Sequence, residues 1–153
     1  MKKILLTLLT LSTLASAAVV IGQPIKPLSL NDQFDVEHNI TSTTKKVIFT
    51  FKKASSHIVK DYLATQKANY LKERDALYVA DVSAMPAIIS FFVLPMLTSN
   101  DFPILVIEDE EQAEAYKNEA QIEAVMLVIL ENKVVADIKY INSEEDLIKE
   151  MDR

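Results

Sequence analysis

The fold is decided by residues 46–51, which read Lys-Val-Ile-Phe-Thr-Phe. β-Branched and aromatic side chains dominate this short run, a pattern typical of a strand buried within a sheet. Beyond it, Ile58, Tyr62 and Leu63 share one face at helical spacing, which predicts a helix that runs on towards Asp75. A buried strand followed directly by a helix is the first half of a parallel β-α-β unit.

The next part of the chain repeats this alternation. Strands are predicted at residues 77–80 and 103–107, because both runs are short, apolar and rich in β-branched residues. Between them we expect a helix from about residue 84, with Ser83 as its N-cap and Pro86 in its first turn. Pro95 should kink or end that helix, since a proline ring removes a hydrogen bond from the helix interior.

The last third of the chain predicts a helix, a hairpin and a final helix. The polar helix spans residues 108–119, and the hairpin joins strands at 124–130 and 134–140 through a tight turn. A terminal helix begins at Ser143, which is a good N-cap. A short edge strand is also predicted at residues 27–30. Without it, the order of the elements is β-α-β-α-β-α-β-β-α. This order implies an α/β sandwich whose central sheet is mixed.

The N-terminus has the pattern of a secretory signal. Lys2 and Lys3 precede an apolar run at residues 4–14, and residues 15–17 read Ala-Ser-Ala, the small-x-small form that signal peptidase accepts. The run is shorter than the ~20 residues that a spanning helix needs. We therefore expect residues 1–17 to be removed and residues 18–153 to form one periplasmic domain with no stable membrane insertion.

Charge and composition exclude several functions. Of the 16 basic residues, Lys2 and Lys3 would leave with the signal, so that 14 remain against 22 acidic residues, a net charge of −8. Such an acidic domain repels nucleic-acid backbones, and no basic stripe offsets this. The single glycine excludes phosphate-binding glycine-rich loops. His38 and His57 fit no metal-ligand motif, so neither a metal nor a cofactor is predicted.

Three blocks of the sequence resemble peroxiredoxin-like, exported proteins of the thioredoxin-fold superfamily. Residues 22–33, Gly-Gln-Pro-Ile-Lys-Pro-Leu-Ser-Leu-Asn-Asp-Gln, are similar to the way such proteins begin, and residues 46–51 are similar to their first central strand. Residues 125–151 are similar to the ending of the fold, with a strand, a charged turn, a strand and a helix. The resemblance implies a thioredoxin-like three-layer sandwich over most of residues 18–153.

The chain departs from this family at the position that matters most. The family's reactive cysteine should follow the strand at residues 46–51, but residues 53–57 read Lys-Ala-Ser-Ser-His, and the whole chain has no cysteine. Thiol-disulfide exchange and thiol peroxidase activity are therefore excluded. The family also has a cis-proline before the strand that faces the active site, a place that Pro103 is a candidate to fill.

The candidate site residues follow from these positions. Ser55, Ser56 and His57 lie at the expected helix start, where a serine is ordinarily a cap, but serine with histidine can also act as nucleophile and base or bind an anion. Asp81 ends a predicted parallel strand beside Ser83 and Pro86, the usual place for functional groups in α/β sheets, although a carboxylate in such a place ordinarily stabilises a turn or caps a helix.

The apolar run at residues 85–97 predicts either a buried helix or a surface for a partner. We expect the loop at residues 52–57, the turn at 81–86, the approach to Pro103 and this helix to lie together.

The expected function is binding, to a protein partner in the periplasm. The alternative is an enzyme without cysteine, or a protein that binds a small ligand or cofactor, which uses the same cleft. A concave pocket that joins Ser55, His57 and Asp81 would favour this alternative. A passive module of a larger envelope assembly is a third interpretation.

Overall fold

The computed structural model describes residues 19–153, apart from the side chains of residues 90–92 and 94. The predicted signal peptide therefore lies outside the described residues. A five-stranded mixed sheet forms the centre, with the strand order β5-β4-β3-β6-β7. β3, β4 and β5 are parallel to one another, whereas β6 and β7 are antiparallel neighbours on the other side of β3. The strands are β3 Lys46–Thr50, β4 Ala76–Asp81, β5 Leu105–Ile107, β6 Val125–Glu131 and β7 Val134–Ile141.

Helices cover both faces of this sheet. They are α1 Lys53–Ala64, α2 Tyr70–Glu73, α3 Ala87–Leu97, α4 Glu110–Glu114 and α5 Glu144–Met151. On one face, a buried cluster joins Ile48 and Tyr78 of the sheet to α1, α2, α5 and the end of α3. On the other face, Phe49 and Val79 pack with α4 and the N-terminal segment. Side chains alternate between the faces of a strand, so one central strand serves both clusters. The predicted α/β sandwich with a mixed sheet is confirmed.

A small hairpin covers the outer edge of β5. It consists of β1 Ser29–Asn31 and β2 Glu37–Asn39, which pair antiparallel, and Asp32 forms an isolated bridge to Leu105. The predicted edge strand at residues 27–30 thus belongs to a separate two-stranded sheet. The polar strand β2 was not predicted, and its position depends on contacts made by the turn between the two strands.

Two helices are shorter than the sequence predicted. α1 ends at Ala64 because Thr65 begins a turn in which its amide and its hydroxyl both donate to the Tyr62 carbonyl oxygen, and α2 starts only at Tyr70. The helix predicted at residues 108–119 is reduced to α4, whose N-cap is Asp109. A separate 3₁₀ turn follows at Glu119–Gln121.

The start of α3 also differs from the prediction. Ser83 was predicted as the N-cap of a helix from residue 84, but the cap position is Pro86 and α3 begins at Ala87. A residue that precedes a proline is pushed out of helical backbone, so Met85 cannot continue a helix into Pro86. Pro95 lies within α3, which ends two residues later, at Leu97.

Candidate functional site

Two of the predicted segments meet at one edge of the sheet. β3 and β4 are parallel, and Thr50 pairs with Ala80, so the segments that follow them leave the sheet side by side. We define this carboxyl edge as the N-terminal turn of α1, residues 52–57, together with residues 81–86. It is the edge at which parallel sheets usually carry their functional groups.

Ser55 and Ser56 are both engaged in bonds within the fold. The Ser55 side chain is fully buried, and its hydroxyl donates to the Lys52 carbonyl oxygen at 3.0 Å. Lys52 holds the N-cap position of α1 without a side-chain cap, so the capping role expected of Ser55 or Ser56 is not observed. The Ser56 hydroxyl lies 2.9 Å from the Tyr78 hydroxyl, which is also 3.2 Å from that of Thr50.

This hydroxyl group of Tyr78 links three elements at the carboxyl edge. Tyr78 belongs to β4, Thr50 ends β3 and Ser56 lies in the first turn of α1. Burial raises the pKa of the Tyr78 phenol, although the bonds from Ser56 and Thr50 oppose that change. The phenol is therefore neutral at physiological pH, and the network serves to hold α1 on the sheet.

His57 does not converge with Ser55. The two residues are two positions apart in a helix, which places their side chains about 200° apart around its axis. Ser55 is buried, while His57 is exposed to solvent. A serine nucleophile needs its base within hydrogen-bond reach, and this pair does not provide that arrangement.

Asp81 forms a buried ion pair that the sequence did not predict. Its side chain is 2% exposed and lies 3.4 Å from the ammonium of Lys117, which is 9% exposed. The other oxygen accepts the Ser83 amide at 2.8 Å, and Lys117 also contacts Glu114 at 3.0 Å. Burial by itself lowers the pKa of Lys117, but the bonds and charges of Glu114 and Asp81 outweigh it and raise that pKa overall.

Ser83 contributes its amide rather than its hydroxyl to this edge. The Ser83 hydroxyl oxygen is buried and has no hydrogen-bond partner among the described residues. The chain around it is fixed by two backbone bonds, from the Val82 amide to the Ile107 carbonyl oxygen and from the Met85 amide to the Val82 carbonyl oxygen. Pro86, three residues further on, is the last residue before α3.

Pro103 lies away from the carboxyl edge. It precedes β5, which runs parallel to β4 with Leu105 opposite Val79, so Pro103 lies towards the end of the sheet at which the parallel strands begin. The peptide bonds of the described residues are all trans, and the strand antiparallel to β3 is β6, which follows Ala124. Pro103 therefore does not occupy the expected cis-proline place, and the four predicted segments do not all lie together.

The Gln33 side chain fixes the chain on both sides of Pro103. Its amide nitrogen donates to the Phe102 carbonyl oxygen at 2.7 Å, and its amide oxygen accepts the Ile104 amide at 2.7 Å. Asp32 supports the same turn, because it accepts the amides of Phe34 and Val36 and pairs with His38 at 2.8 Å. These hydrogen bonds position the hairpin, and the sequence did not predict them.

Two cavities among the described residues lie away from the carboxyl edge. An open one of about 480 Å³ is lined by Lys26, Asp109, Glu111, Gln112 and Ala115, and one of about 230 Å³ is lined by residues 19–20, 23–26 and Ala115. Neither includes Ser55, His57 or Asp81. Over residues 19–153, no group of three histidine or carboxylate residues could hold a metal ion. None of the described helices is long and apolar enough to cross a bilayer.

α3 exposes large apolar side chains beside the carboxyl edge. Ile88 is 72% exposed, Ile89 47% and Met96 70%, whereas Leu97 is buried. Successive residues of a helix are 100° apart, so the three exposed side chains lie within about 100° of one another and Leu97 lies outside that arc. We call these three residues the α3 face. Three large apolar side chains exposed on one side of a helix form a candidate interaction surface.

Comparison with known proteins identifies the fold. No protein-family model and no curated protein matches the chain. Many solved structures match it, and three of them illustrate the similarity over most of their length. They are a candidate thioredoxin from Neisseria meningitidis (TM-score 0.58, 14% identity, 85% of this chain and 89% of that chain), a candidate thiol:disulfide interchange protein DsbE from Chlorobium tepidum (0.56, 11%, 88% and 96%) and the peroxidoxin BcpB from Mycobacterium tuberculosis (0.52, 12%, 87% and 94%).

These matches confirm the thioredoxin-like fold predicted from the sequence. At identities of 11–14% they establish the architecture and nothing of the chemistry. The chain is thus a thioredoxin-like domain without cysteine. In the place expected for a thiol, it has a helix start whose serines are bonded to the fold.

Proposed function

We propose that this chain is an exported, periplasmic thioredoxin-like domain that has no redox activity and works by binding another protein. The observation that carries the proposal is the α3 face. Burial of an apolar side chain contributes roughly 1.5–3 kcal/mol, and Ile88, Ile89 and Met96 leave most of that contribution unused in the single chain. Exposed apolar stripes of this kind are typical of protein interfaces.

The carboxyl edge supports the same proposal, because several of its polar side chains are engaged in bonds within the fold. Ser55 and Ser56 are bonded within the fold, and Asp81 is paired with Lys117. The two cavities described above do not reach these residues. A binding role needs no nucleophile, so a thioredoxin-like scaffold without cysteine can perform it.

Export is inferred from residues 1–17, and its test is the mass of the mature chain. When the full sequence is expressed in a Gram-negative bacterium, the periplasmic fraction should contain a protein that begins at Ala18. Ala17→Phe is the matched control, because signal peptidase needs a small residue there, and this variant should remain unprocessed. A full-length wild-type chain found only in the cytoplasm would contradict export.

Partner binding is tested by photocrosslinking in cells. A photoreactive amino acid is placed in turn at three exposed positions, His57 at the carboxyl edge, Ile88 on α3 and Glu111 on α4 across the sheet. At least one position should give a reproducible crosslink of a single mass, and mass spectrometry then identifies the protein. If all three positions yield no ultraviolet-dependent product in the source bacterium, the binding function is wrong.

A further inference from the structure

We propose that the α3 face and two lysines of α1, Lys53 and Lys60, form one docking surface for an acidic amphipathic segment of the partner. This inference rests on the proposed binding function and specifies its surface and the chemistry of its occupant. α3 itself supplies no charge, because residues 82–100 contain no charged side chain. The charged part is supplied by the neighbouring helix.

α1 and α3 lie on the same side of the sheet. Leu97 of α3 belongs to the buried cluster that includes Val59 and Leu63 of α1. Both helices begin at the carboxyl edge, and the strands that precede them, β3 and β4, are neighbours in the sheet. A segment that covers α3 and extends in the direction of β3 would therefore meet the near side of α1.

The near side of α1 is identified by Ser56. Its hydroxyl contacts Tyr78 of β4, the strand that leads into α3, so this side of the helix faces α3. Lys60 is four residues after Ser56 and Lys53 three residues before it, which places both lysines next to Ser56 on the helix surface. Asp61 is on the same helix but about 100° further round from Lys60.

These two lysines have no ion-pair partner among residues 19–153, unlike Lys117, Lys139 and Lys149, which all pair with carboxylates. Lys53 is exposed and Lys60 half-buried. Unpaired cations beside an uncharged apolar stripe complement a segment with apolar residues on one face and carboxylates on the other. An anionic membrane fits less well, because recognition of anionic lipids typically takes a cluster of about four to eight basic residues, and this surface supplies Lys53 and Lys60 alone among the residues of α1 and α3.

The test uses a synthetic 18-residue helical peptide with leucine on one face and glutamate on the other. Its matched control has lysine in place of every glutamate. Fluorescence anisotropy should give a dissociation constant about tenfold lower for the acidic peptide than for the basic one, a difference within the range that surface charge complementarity provides. Amide shifts in NMR spectra should change in α3 and in the first two turns of α1.

Two variants separate the parts of the surface. Lys53→Glu with Lys60→Glu should reverse the preference between the peptides, whereas Ile88→Ser with Met96→Ser should weaken both. Equal affinity for the two peptides, or amide shifts confined to α4, would overturn the proposal. Vesicles of phosphatidylglycerol are the third probe, and tighter binding to them than to the acidic peptide would also overturn it.

The crosslinking experiment distinguishes failure of the proposed binding function from failure of the proposed docking surface. A partner captured at Ile88 and not at Glu111 supports both. A partner captured only at Glu111 leaves the binding function standing and refutes this docking surface. The absence of any partner refutes the binding function itself, whatever the peptides do.

Discussion

The first turn of α1 and the outer face of α3 lie on the same side of the sheet, yet they are built in opposite ways. At the start of α1, polar side chains are turned inwards and bonded, with Ser55 to Lys52 and Ser56 to Tyr78. On α3, apolar side chains are turned outwards, with Ile88 and Met96 at least 70% exposed. The place where the fold usually carries chemistry is bonded into the structure here, whereas the neighbouring helix exposes large apolar side chains to solvent.

Among the substitutions near the carboxyl edge, Lys117→Met should cause the largest loss in the free energy of unfolding. This leaves the buried carboxylate of Asp81 without its cation, and breaking one half of a buried pair costs about 3 kcal/mol. Urea unfolding should report this loss, and Asp81→Asn in the same chain should restore part of it because no buried charge then remains. Lys139→Met is the control, since its pair with Asp137 is well exposed, and it should change little. Equal effects of the two lysine variants would show that the Asp81 pair is not structural.

The sequence predicted those elements whose local signals agree with their surroundings. β3 is an apolar run in the centre of the sheet, and the β6–β7 hairpin turns at Asn132 and Lys133, whose positive φ angles of 53° and 68° suit a two-residue turn. Ser143 caps α5 as predicted, accepting the Asp146 amide. In each case residues within one short segment determine the outcome.

The parts that sequence reasoning missed depend on partners far apart in the chain. Asp81 was predicted at a strand end, but its partner is 36 residues away, and only one signal pointed to it, since Lys117 is the sole basic residue of the acidic stretch 108–123. β2 is polar and has no strand pattern, and it forms where Gln33 holds the chain beside Phe102. Pairing of this kind is set by the folded topology and not by local composition.

Tyr78→Phe tests the hydroxyl network that joins the first turn of α1 to the sheet. Removing the phenol oxygen leaves the Ser56 and Thr50 hydroxyls without this partner, and we expect a loss of about 1–2 kcal/mol in the free energy of unfolding. Tyr140→Phe is the control, because its hydroxyl accepts a single bond from the Asn118 side chain on a half-buried surface. Hydrogen exchange should also increase in the first turn of α1 in the Tyr78 variant alone. An unchanged exchange rate there would argue that the network does not hold α1.

The role of Asp32 in the hairpin beside β5 can be tested by the pH dependence of protein stability. Burial raises the pKa of this carboxyl, but the bonds from His38, Val36 and Phe34 outweigh it, so the pKa is lowered overall. The stabilisation is therefore present above the ordinary aspartate pKa of about 4 and is lost as the pH falls through the lowered value. The stability difference between wild type and Asp32→Asn should hold its full value, about 1 kcal/mol, at pH values well above 4 and should shrink as the pH falls towards 3. A difference independent of pH would contradict this role of the carboxylate.

Substitutions on the α3 face should have the smallest effect on the free energy of unfolding. Ile88→Ser and Met96→Ser alter exposed side chains, so each should change the free energy of unfolding by no more than about 0.5 kcal/mol. Leu97→Ser is the matched control on the same helix, because Leu97 is buried in the core and its loss should destabilise the protein clearly. Similar costs at positions 88, 96 and 97 would mean that α3 is packed on all sides and is not a free surface.

The most direct test of the account is the affinity of the crosslinked partner for two double variants. Ser56→Ala with His57→Ala changes the region where the fold usually carries chemistry, and Ile88→Ser with Met96→Ser changes the α3 face. We predict that the first variant binds within about twofold of wild type, and that the second binds at least about tenfold more weakly, because a tenfold loss corresponds to 1.4 kcal/mol, less than burial of one large apolar side chain contributes. Loss of binding in the serine–histidine variant, with normal binding in the α3 variant, would contradict the account.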